Sequence, residues 1–188
     1  MSDSLRFRII GLCILAAFPL FGIGQALLDG ELHRLGLLMC FSNSAAVILI
    51  GFLMRPMIAT TAPRSGDIYF ISRLAEGTLL GASVTAVQSG FMGLTISGDT
   101  FYQLGMIALG LGSLPMCLWL IRSKTVPTML ATLGFVGYLS LIIAMIASAY
   151  GFEATSMTLL LPGATFEVIF GVMLIARVRS KQVQGFSH

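Results

Sequence analysis

Lysine is almost missing from this chain of 188 residues. Lys124 and Lys181 are its two examples, and both stand outside the long apolar runs, so a retinal Schiff base has no amine there. Histidine is as scarce. His33 falls between two runs and His188 is the last residue. That excludes histidine-ligated haem, pigment or transition metal inside the runs, and any Ser-His or Cys-His pair there. No aspartate lies in a run, so a di-aspartate intramembrane protease is excluded as well. Cys13, Cys40 and Cys117 are far apart and read as small buried hydrophobes. Gly22-Ile23-Gly24 and Gly110-Leu111-Gly112 are fragments of a glycine-rich pattern with no preceding strand, and read as packing glycines. The expectation is a protein that is not an enzyme and holds no cofactor.

Charge of either sign is the next shortage. Only 10% of the residues are charged and 56% are hydrophobic, where a soluble domain carries roughly a quarter charged. The apolar residues come in six blocks of about twenty, each long enough to cross roughly 30 Å of hydrocarbon. The expected fold is all-α: one six-helix transmembrane bundle filling 1–188, with spans near 8–28, 35–54, 68–93, 101–121, 127–150 and 157–177. The longest connection, Arg55 to Asp67, carries Pro56, Pro63 and Gly66 and reads as a loop. Gly24-Gln25-Ala26 resembles a signal-peptide cleavage site, but the run before it is long, so the first span is expected to stay as a helix.

The basic residues set an orientation. Arg6, Arg8, Arg55, Arg64, Arg122, Lys124, Arg177, Arg179 and Lys181 all fall on one side of the six spans. The other side has Arg34 with Asp29, Glu31, Asp99 and Glu153. This bias places both termini in the cytoplasm. The net charge of +3 then reflects topology, and scattered basic residues do not make a nucleic-acid surface. Tyr69, Trp119, Tyr102 and Tyr150 fall at span ends and read as an interfacial belt, with Tyr138 the exception near mid-span.

What is present inside the spans is a thin polar layer. Counting 1.5 Å per residue puts Glu76 about 12 Å deep, Glu167 about 15 Å, and Asn43 and Tyr138 about 16 Å, with Arg73 near 8 Å. A lone charge at helix centre costs about 2.5–3.5 kcal/mol on insertion scales, so these groups are expected to meet one another. Arg73 and Glu76, three apart, share a helix face. Glu167 has no basic neighbour on its own helix, which makes it the better functional candidate. Gly77, Gly81, Thr85, Ser89 and Gly93 recur every four residues and read as a packing stripe that makes span three the central, covered helix. Glu76 and Glu167 each stand in the third span of a three-span half, as inverted repeats would place them, although the halves share no visible sequence similarity.

Three stretches carry a resemblance: "SRLAEGTLL" in span three, "SKTVPTMLATLGFVGY" at span five and "LLLPGATFEVIFGVMLIARVRS" at span six. Through Arg73 and Glu76, Val126-Pro127, Leu133-Gly134, Leu161-Pro162 and Phe166-Glu167, the chain resembles a bacterial multipass membrane family, domain of unknown function 4386. It departs at Thr128-Met129, where the family usually has an Arg-Trp pair, and at Ala176-Arg177-Val178, where a Lys-Gly-Phe-like ending is usual. The resemblance implies a six-helix architecture and that the charged pair and Glu167 belong to the family pattern. The expected location is the bacterial cytoplasmic (inner) membrane, with lipids as partners.

Two functions fit these residues. The first is an accessory subunit that packs by its helices against other membrane protein subunits. The second is a small proton- or cation-coupled carrier, or a small-ligand-binding protein, using Glu167 and Glu76. In the first reading the polar layer is a structural clasp.

Overall fold

The computed structural model describes residues 3–89 and 97–185, with side chains through 85 in the first stretch and through 176 in the second. The described elements are six α-helices: α1 Asp3–Leu27, α2 His33–Ala59, α3 Pro63–Ser89, α4 Gly98–Ser123, α5 Thr128–Ala149 and α6 Glu153–Gly185. Five of them, all but α3, are long and apolar enough to cross a membrane. Helix α3 falls short because Arg73, Glu76 and several small polar residues interrupt its apolar run.

Local chemistry explains the boundaries. Pro63 opens α3 at a position where its missing N–H is not needed. Ser97 caps α4, its hydroxyl accepting from the Thr100 N–H at 3.3 Å, and Asp99 stands in the first turn where the helix dipole favours an acid. At the other end Lys124 takes a left-handed conformation, φ 50°, and Pro127 follows before α5 begins.

The loop expected from Arg55 to Asp67 shrinks to residues 60–62. Helix α2 runs through Pro56 to Ala59, and Gly66 lies within α3. A proline inside a membrane-type helix is tolerated where neighbours re-satisfy the freed carbonyls. Arg55 Nε donates to Asp67 Oδ1 at 2.8 Å and ties the two helix ends together across the short turn.

Each helix packs on the next in chain order, and α6 returns to α1. The bundle is therefore a closed ring of six staves, with no helix at its centre. This corrects the expectation for α3, which touches α2 on one side and α4 on the other. The four-residue stripe explains the difference. At 3.6 residues per turn, a step of four drifts by about 40°, so the stripe winds off any one neighbour. A Cβ on Gly77 would lie 2.5 Å from Ile48 and 2.7 Å from the Ser44 carbonyl of α2, so the contact is close there. At Gly81 the nearest α2 atom would be 3.7 Å away, and Thr85 is exposed. The Ser89 side chain and Gly93 lie outside the described residues. Toward α4 the close approach comes from the other partner: Gly112 lies against Ser72, and Gly105 lies against the Glu76 backbone.

The two ends of the ring differ. Toward the end with most basic residues, Ile10, Met54, Ile58, Tyr69, Leu120, Phe170 and Leu174 fill the interior. There α1 and α6 nearly touch backbone to backbone, since a Cβ on Gly11 would come 2.6 Å from the Gly171 carbonyl oxygen. Toward the end with Asp29, Glu31, Asp99 and Glu153, the interior holds a cavity of about 230 Å³.

Candidate functional site

The site starts from one turn of α3. Tyr69, Arg73 and Glu76, at i−4, i and i+3, share the face turned into the ring, and all three are buried. Arg73 Nε donates to the Tyr69 hydroxyl at 3.0 Å, and Arg73 Nη1 donates to Glu76 Oε2 at 3.0 Å. Space for the arginine stem comes from α2, where Gly51 lies against Arg73 Cβ.

Two further helices complete the cluster. Glu167 of α6 places Oε1 3.6 Å from Arg73 Nη2. The Tyr138 hydroxyl of α5 donates to the same Oε1 at 2.8 Å. Tyr138 packs edge-on against Phe166, which stacks on Phe170, so the residue before Glu167 is held by aromatic contacts. Thus Arg73, Glu76, Glu167 and Tyr138 form one connected group, 94 residues apart in sequence at its extremes.

Asn43 of α2 lines the same cavity as Arg73, Glu76 and Glu167 but bonds to none of them. It is buried, and its carbonyl oxygen has no hydrogen-bond partner among the described residues. The remaining walls are largely apolar, with Ile14, Val47, Leu80, Met106 and Leu109 among them. Toward the acidic end, Phe21 of α1 and Tyr102 of α4 stack across the ring, ring centres 5.4 Å apart and planes within 12°. Both rings also line the cavity.

Charge counting gives this group its character. It holds one guanidinium and two carboxyl groups. Glu76 shares Arg73 at close range and is 3% exposed, whereas Glu167 is 19% exposed and sits farther from the cation. A buried charge without a full partner is expensive, and Glu167 is the less closely paired of the two carboxyl groups. No cluster of three or more metal-ligating side chains occurs among the described residues.

Tyr69 and Tyr102 were both expected in the interfacial belt. Tyr69 instead points inward and holds Arg73, a role its i, i+4 spacing from the arginine could have signalled. Tyr102 forms half of the aromatic stack. Trp119 keeps its place near a helix end, its indole N–H donating to the Thr61 hydroxyl at 2.7 Å, and Tyr150 is exposed.

Residues 85–177 match the model of the family described as Domain of unknown function (DUF4386). Over these residues the chain is similar to that family. It is the family that the sequence motifs resemble. The DUF4386 match takes in Tyr138 and Glu167, while Asn43, Arg73 and Glu76 precede it. No curated protein and no solved structure matches the chain.

Proposed function

We propose that this is a ligand-binding integral membrane protein of the carrier type, without enzymatic activity, whose ligand occupies the cavity beside Glu167. The observation that supports it is the ending of an apolar-walled cavity on a charged cluster inside the ring. A purely structural clasp has no use for a hole. It is best served by partners that saturate one another, yet here Glu167 lines open space and Asn43 keeps a carbonyl unpartnered among the described residues.

In this reading all six helices cross the bilayer. The charges that lower the hydropathy of α3 face inward, while Ile68, Ile71 and Leu74 on its outer face are exposed as lipid-facing residues would be. The bias of basic residues puts both termini in the cytoplasm of a bacterial inner membrane, so the cavity lies toward the outside. The alternative, an accessory subunit, draws on the exposed apolar side chains of α6 such as Met157 and Leu161. Lipid covers such residues as well as a protein partner does, so they favour neither.

The test fills the hole. Ala17 lines the cavity, and Ala17→Phe should occupy it. With full-length protein in lipid nanodiscs, a panel of small solutes should contain members that raise the unfolding temperature of the wild type and not of Ala17→Phe. A panel that shifts neither protein, or both alike, sinks the proposal. Sizing the native particle tests the accessory alternative separately.

A further inference from the structure

We infer that the cavity selects a small monovalent organic cation, an ammonium head on an apolar body, with the head on Glu167. This rests on the ligand-binding reading above and adds the chemical class. The sign follows from what is already spent. Arg73 is buried with each of its three nitrogens engaged: Nε by Tyr69, Nη1 by Glu76 and Nη2 by Glu167. Its single positive charge already faces two carboxyl groups, which disfavours an anion beside them. Glu167 commits Oε1 to Tyr138 and Arg73, and among the described residues nothing bonds its Oε2. The unspent group in the cavity is therefore an acceptor of negative character. A donor with positive charge satisfies it.

The body follows from the walls and the size. Ile14, Val47, Leu80, Met106 and Leu109 offer dispersion contacts and no hydrogen bonds. A cavity of about 230 Å³ is below the roughly 300–1,000 Å³ that drug-sized ligands take, so the body is small. An inorganic divalent ion would leave those walls unused, and it lacks a cluster of three ligands among the described residues.

The route agrees with the sign. Phe21 and Tyr102 line both this cavity and a second hollow of about 210 Å³ beyond it, which also has Gln25, Ser83 and Asp99 in its walls. A cation arriving from that side meets an acidic residue and then aromatic faces, which attract cations. The opposite end is closed by the packed interior around Met54, Tyr69 and Phe170.

The experiment uses three probes of one shape and different charge: phenethylammonium, 2-phenylethanol and phenylacetate. Binding to full-length protein in phosphatidylcholine nanodiscs is measured by calorimetry, with empty nanodiscs subtracted, and sodium chloride is titrated separately. The ammonium should bind at least about tenfold tighter than the alcohol, with the carboxylate weakest. Glu167→Gln should erase the preference of the ammonium over the alcohol. Should that variant not fold, the ranking of the three probes on the wild type decides alone. Equal or tighter binding of the alcohol or carboxylate overturns the inferred charge and leaves the pocket standing. Binding of sodium with none of the ammonium overturns the organic body. No binding of any probe, or binding that Ala17→Phe does not weaken, overturns the pocket itself and this inference with it.

Discussion

The two ends of the ring are built from the same kinds of residue and put to opposite uses. At the basic end, small residues bring helices together and large ones fill what remains: Gly11 seats α1 on Gly171 of α6, and Tyr69, Phe170 and Leu174 close the interior. At the acidic end α1 and α4 meet through a ring stack instead, and space is left between that stack and the charged cluster. The difference teaches that hydropathy alone does not separate a packed half from a hollow half. The boundary between them is the polar layer, where the packed half stops and the open half starts.

Removing the boundary should have the largest effect. Arg73→Leu leaves Glu76 and Glu167 in one interior without their cation. Breaking a buried pair by deleting one partner costs about 3–5 kcal/mol. Unfolding by titration with dodecyl sulfate should show that loss, and Arg73→Leu with Glu76→Leu together should regain most of it. A single variant as stable as wild type would mean that the layer is not a shared electrostatic unit, and the comparison of halves would lose its dividing line.

The next test compares one residue type on one helix. Met116 and Met106 both belong to α4, ten residues apart. Met116 is 1% exposed in the packed core, while Met106 borders the cavity. In lipid the transfer part of a large-to-small substitution fades and the packing part remains, so Met116→Ala should cost about 2 kcal/mol. Met106→Ala enlarges a space that already exists and should cost less than about 1 kcal/mol. Equal losses at the two sites would say that the halves are packed alike.

The polar layer that divides the halves is legible in the sequence. Helical rise is constant, so depth along each span follows from counting, and depth was enough to bring Arg73, Glu76, Glu167 and Tyr138 to one level. Direction around a helix is less legible. Tyr69 has the height of an interfacial residue but the azimuth of an interior one, and only its four-residue spacing from Arg73 records that. The stripe from Gly77 misled for the same reason, since a period of four rotates away from any fixed neighbour. The cavity left no trace at all in the sequence. It is a sum of small gaps among Ile14, Val47, Leu80 and Met106, each an ordinary residue for a membrane interior. Pro56 was read as a turn because proline breaks helices in water, whereas here α2 continues through it.

The smallest effect belongs to the seam between α5 and α6, beside the cavity half. A Cβ on Gly137 would lie 2.6 Å from Gly163 Cα, and one turn further along Ser140 places its hydroxyl 2.8 Å from the Leu159 carbonyl and 2.9 Å from the Gly137 carbonyl. One hydroxyl proton serves one acceptor at a time, so half of this apparent link is internal to α5 whenever the other half is made. Interhelical hydrogen bonds in membranes average about 0.6 kcal/mol, and the in-helix alternative holds Ser140→Ala to that level or below. A loss of several kcal/mol in the same dodecyl sulfate titration would show that the seam is clamped by the hydroxyl. A small loss assigns the grip to glycine against glycine, the same device that closes α1 on α6 at the packed end.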